Sequence, residues 1–229
     1  MPRIVWKYPD VFESIVLTME AFHTICTLLS IFGKRFQDAG LRDIFIEPGV
    51  IAEGSVSGVR DGRRYNRAVR FHKLMYEALQ RLAWKGFQSW IEKIPEKNLS
   101  VQQFSNGLIP LYNDLCQREF DAVMKRQPYS ELIVLYDRHL DYLGTSNGKL
   151  SSFWMSYLDI VEILLNLLRA SREGGWELHL SAIRKMIPWC FVHDNLNYVR
   201  YLSAYVFEMS QVELEHPEAF KNLENFQSR

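Results

Sequence analysis

Disulfides, tight turns, long apolar runs and net charge are all scarce in this 229-residue chain. The three cysteines, Cys26, Cys116 and Cys190, form an odd, widely spaced set, which excludes a disulfide framework. Each sits among apolar neighbours, where reduced cysteine packs as a small hydrophobe. An intracellular location, nucleus or cytoplasm, is therefore expected, although Asn98-Leu99-Ser100 matches a glycosylation sequon. With 12 Gly and 8 Pro, the chain has too few turn residues for a barrel or sandwich of many short strands. The start "MPRIVWKYPD" shows no signal peptide. "AFHTICTLLSIFG" is uncharged for 13 residues but contains His23, short of the roughly 18–20 that span a bilayer. "DIVEILLNLLRA" carries Asp159, Glu162 and Arg169. Both read as core helices, and no membrane partner is expected.

Several chemical signatures are missing as well. "GVIAEGSVSGVRDG" is rich in glycine, but it has neither the Gly-Lys-Ser/Thr of a phosphate-gripping loop nor tight GxGxxG spacing. It reads as a plain loop. His179, Cys190, His193 and Asp194 lie within sixteen residues, yet without the paired close ligands usual for zinc. Glu47, Glu53, Asp38 and Asp43 could in principle hold Mg²⁺, but they alternate with Arg35 and Arg42 and read as surface ion pairs. His23 and His72 are single histidines among apolar residues and read as core side chains. No Ser–His–Asp or Cys–His set is legible. No catalytic residue, metal or cofactor is assigned.

What is present is a core. Hydrophobic residues make up 48% and aromatics 14% of the chain, which suits a folded domain rather than a disordered one. Helical periodicity dominates. Residues 21–37 form one helix, stopped by Gly40. Residues 10–20 are ambiguous: Asp10 and Glu13 resemble a capping box, while "SIVLTM" could be a short strand. "LRDIFIEPGVIAEGSVSGVRDG" reads as irregular. Tyr65, Val69, His72, Tyr76, Leu79 and Ala83 recur at four- and three-residue steps and mark one face of a long helix. That helix extends past Trp84 and ends before Pro95. Further helices are expected over 111–126, 128–143, 152–171, 176–186, 195–213 and from Pro217. The stripe Tyr198, Leu202, Tyr205, Met209 reads as core. The expected fold is mainly α, a multi-helix domain with one or two short N-terminal strands as an open alternative. Residues 1–97 form an N-terminal region with the basic helix, and 98–229 a C-terminal region, the two packed as one unit.

Charge is the unusual feature. The chain holds 27 basic and 27 acidic side chains, yet residues 1–93 carry 14 basic against 10 acidic. Residues 60–73 alone hold Arg60, Arg63, Arg64, Arg67, Arg70 and Lys73 against one acid, Asp61. Arginine forks onto phosphates, and a stripe of them along a helix can follow a nucleic-acid backbone. Tyr65 and Phe71 interleave with the arginines and could stack on bases. The plainer reading is the wet face of an amphipathic helix. DNA or RNA is thus one candidate partner. A second copy or another protein, held by helix grooves, is the alternative.

Several long strings occur together: "AFHTICTLLSIFGKRFQDAGLRDIFIEPGVIAEGSVSGV", "RRYNRAVRFHKLMYEALQRLAW", "FWMSYLDIVEILLNLLRASREGGWELHLSAIRKMIPWCF" and "NYVRYLSAYVFEMSQVELEHPEAF". They resemble an uncharacterised, multicopy family of animal proteins that looks transposable-element-derived. The resemblance runs from Trp6 to the end. It implies longer family members, with any nuclease or transposase acids in flanks outside this chain, which would make the chain an internal fragment. It places no catalytic residue on any position here.

Overall fold

A computed structural model describes residues 7–11, 15–91, 93, 113–114, 116–117, 125 and 129–225. Among these residues the fold is all-α, with nine α-helices and no strand. In chain order they are α1 (Ala21–Phe36), α2 (Leu41–Ile46), α3 (Val56–Arg60), α4 (Tyr65–Ile91), α5 (Tyr129–Thr145), α6 (Lys149–Glu173), α7 (Trp176–Val192), α8 (Leu196–Glu215) and α9 (Pro217–Asn225).

The chain packs into two units, one of Met1–Leu74 with Asp159–Arg229 and one of Met75–Leu158. The sequence division at 97/98 instead falls in a stretch outside the described residues. α4 and α6 each supply residues to both units.

The first unit is centred on α1. Ile25, Leu28, Leu29, Ile31, Phe32 and Phe36 of that helix are buried, following the spacing of one broad apolar face. α1 packs against α3 and α7, α7 against α8, and α8 against α9. Ile160, Val161, Leu164 and Leu167 of α6 are fully buried. By length and composition α6 could also cross a membrane. Leu202, Tyr205 and Met209 of α8 are buried together with Val212, as the sequence stripe implies, while Tyr198 is half-buried.

In the second unit, α4 meets α5 through a run of rings. Trp84 and Phe87 each lie near Tyr136, with ring centroids 5.4 Å apart in both cases. Trp90 lies 5.2 Å from His139. The Tyr136 hydroxyl donates to the Gln80 side chain at 2.7 Å. Ser151 at the start of α6 donates to the Leu143 carbonyl at 2.7 Å.

Several sequence expectations change. Residues 15–20 have no regular structure, so the strand alternative is not realised among the described residues. Pro9–Val11 is a short 3-10 turn, and Glu13 lies outside the described residues. The supposedly irregular 41–62 contains α2 and α3. Gly40 takes φ +81° between α1 and α2, a left-handed link that glycine permits. α5 runs through Gly144 to Thr145, and α6 begins at Lys149 rather than 152.

α7 does not halt at Pro188 but continues to Val192. Pro188 and Arg184 are both exposed. The Arg184 carbonyl that proline cannot satisfy therefore lies on the wet side, where water can serve it. Most of the helix expected over 111–126 lies outside the described residues, as does Pro95.

Candidate nucleic-acid interface

The basic segment begins where α3 turns into α4. Three glycines set that turn against its neighbours. A Cβ on Gly33 of α1 would overlap the carbonyl oxygen of Arg60, so α1 and α3 touch backbone to backbone. Gly62 has φ +74°, and a Cβ there would lie 2.9 Å from the Cys26 carbonyl oxygen. Both its conformation and its space demand glycine. A Cβ on Gly58 would meet the Arg64 side-chain stem at 2.8 Å, and the Arg64 N–H donates to the Gly58 carbonyl at 2.8 Å. The start of α4 is thereby fixed on the first unit.

The helix itself is held from behind. Ala68, Val69, Phe71 and His72 are buried. His72 stacks on Phe32 at 4.1 Å, and Phe71 lies 3.7 Å from Phe45. Phe71 therefore cannot stack on bases, contrary to the sequence expectation, because α2 covers a second side of α4. Tyr65 is half-buried against Phe22 at 5.1 Å. Burial lowers the His72 pKa to about 3, so its imidazole is neutral at pH 7.

The cations then divide into two sets. Asp61 takes two of them: Arg60 donates to it at 3.0 Å and Arg63 at 2.6 Å. These bonds, Arg63 first, hold the Asp61 carboxyl below its ordinary pKa. Arg60 also reaches Gln37 at 3.3 Å. Arg67 donates to Ser55 at 2.9 Å. Arg64, Arg70 and Lys73 make no ion pair among the described residues. Arg63, Arg64, Arg67 and Arg70 are exposed, while Arg60 and Lys73 are half-buried. Asp61 is the one acid between residues 54 and 76, and it leaves a local excess of positive charge.

A family profile described as a domain of unknown function, DUF8702, matches residues 2–228. The chain belongs to that family. No curated protein and no solved structure matches it.

Elsewhere in this DUF8702 domain, the other sequence candidates resolve into packing. The Tyr205 hydroxyl and His179 Nε2 are 3.3 Å apart and buried, and burial lowers the His179 pKa. Cys190 is fully buried, which pushes its thiol up to about 11. Among the described residues no three His, Cys, Asp or Glu side chains gather as a metal site. Arg42 pairs with Asp43 and Glu53, as the alternating charges imply. His23 is exposed beside Glu20, at 3.6 Å, rather than in the core.

The second unit of the DUF8702 domain holds a cavity of about 190 Å³. Leu79, Leu82, Leu143, Trp154 and Met155 line it with His139. His139 Nε2 lies 3.2 Å from the Ala83 carbonyl and must donate to it. Burial lowers the His139 pKa. A single neutral imidazole in an apolar wall offers no acid–base pair. Sequence reasoning did not find this cavity, because its lining comes from three helices far apart in the chain.

Proposed function

We propose that this DUF8702 domain is a non-catalytic module that binds the phosphate backbone of nucleic acid. Arg63, Arg64, Arg67 and Arg70 supply the contacts, with Lys73 and Arg60 adding field. The observation that supports this reading is a division within α4: one side is buried against α1 and α2, while its arginines stay exposed. Such a helix loses little entropy on binding, because its backbone is already fixed. Arg67 and Arg70 lie on the first two turns of α4, and Arg63 and Arg64 lie in the bend just before it. The mobile-element descent implied by the sequence resemblance fits such a role.

The test is direct. Arg63, Arg67 and Arg70 are changed together to Ser, and DNA and RNA affinity is measured across salt. The variant is expected to bind more weakly and to lose roughly two to three from the salt slope. Equal slopes for variant and wild type would refute the interface. A protein-interaction role draws on other residues, since Phe207 and Leu214 of α8 are largely exposed.

A further inference from the structure

α8 has one covered apolar stripe and one exposed stripe in which large apolar side chains alternate with polar ones. The covered stripe is Leu202, Tyr205, Met209 and Val212. The other is Leu196, Arg200, Ser203, Phe207, Ser210 and Leu214, all exposed. Their spacing alternates four and three residues, the step that keeps side chains on one line of a helix. Leu196 is 49% exposed, Phe207 67% and Leu214 81%. Phe191 and Val192, at the end of α7, are also exposed, at 64% and 62%. Large exposed side chains gathered along one line mark an interaction site more often than scattered ones do.

The arrangement along the stripe indicates what covers it. The pattern is symmetric about position 205. Laid antiparallel on a second α8, Leu196 meets Leu214, Arg200 meets Ser210 and Ser203 meets Phe207. The large ring thus falls on a small residue in each copy. Laid parallel and in register, Phe207 would meet Phe207 and Arg200 would meet Arg200. Charge points the same way. The first half of α8, up to Ala204, carries only Arg200, and the second half carries Glu208, Glu213 and Glu215. Arg200, Glu213 and Glu215 are exposed. Antiparallel contact sets the basic end against the acidic end, while parallel contact sets like against like.

We propose that this stripe is a homodimer interface in which two α8 helices pack antiparallel, centred near residue 205. The partner is a second copy of this chain. The inference does not depend on nucleic-acid binding, because α4 contributes no residue to it.

Sedimentation equilibrium of the full chain over a wide concentration range tests the proposal. A reversible monomer–dimer equilibrium is expected. Phe207→Ser with Leu214→Ser should raise the dimer dissociation constant at least tenfold, with the helical circular dichroism unchanged because both side chains are exposed. Arg200→Glu should also weaken the dimer. Adding Glu213→Lys and Glu215→Lys to that variant should restore it, since the charges then match again across the pair. A chain that stays monomeric at every concentration would overturn the proposal. So would a dimer indifferent to the Phe207 and Leu214 changes, or one tightened by Arg200→Glu.

Discussion

Gly33 lies against Arg60 so closely that the carbonyl oxygen of one occupies the space a Cβ on the other would need. This contact joins α1 to the end of α3 and so sets where the basic segment begins. Arg60, Asp61 and Gly62 follow in sequence, and Gly62 is itself pressed on Cys26 and Leu29.

Gly33→Ala is the first consequence. Replacing a mid-helix glycine ordinarily stabilises by about 1 kcal/mol. Here the new methyl meets backbone, which overpacks the contact by roughly 3 kcal/mol. A net loss of about 2 kcal/mol is expected in denaturant unfolding. A more stable variant would mean that α1 and α3 are not in contact.

His72 gives a pH dependence. Its pKa is lowered from 6.5 to about 3 by burial. Below pH 6.5 the unfolded chain takes up a proton that the folded chain does not, so stability falls as pH drops toward 3. The slope is up to about 1.4 kcal/mol per pH unit from this one residue. His72→Phe is expected to reduce that acid slope. An unchanged slope would place the titration elsewhere, such as on His139, His179 or His193, whose pKa values are also lowered by burial.

Asp61 restrains the basic segment. Asp61→Asn removes the acid that Arg60 and Arg63 share. It frees both guanidinium groups and raises the charge of residues 60–73 by one. Tighter binding to duplex DNA at low salt is the expected result, with a steeper salt slope. Weaker binding would mean that Asp61 positions Arg63 rather than competing for it.

Much of this was legible in the sequence, and the reasons are specific. The Tyr65–Ala83 spacing marked α4 because one face of that helix keeps an unbroken four-three rhythm. The Tyr205 and Met209 stripe marked the covered side of α8 for the same reason. Phe71 was misread because a second helix, α2, covers a side of α4 that a single-face pattern treats as wet. α2 and α3 were missed because they have six and five residues, too few for periodicity to register. Gly33 and Gly62 carried no signal beyond their identity, since a close approach depends on what lies opposite. A proline such as Pro188 ordinarily ends a helix, and its exposure, which makes it tolerable, is a tertiary fact. The cluster of Arg60, Arg63, Arg64, Arg67, Arg70 and Lys73 could be counted in the sequence. Its partition by Asp61 and Ser55 could not.

The central claim is that the exposed arginines at and just before the start of α4 bind a phosphate backbone, and the wild-type salt dependence of binding tests it most directly. The affinity of the full chain for a short duplex and for single-stranded RNA is measured from low to physiological salt. Binding that weakens steadily with salt, with a logarithmic slope of about −2 to −4, is expected for three or four phosphates neutralised. No binding at low salt, or binding indifferent to salt, would contradict it.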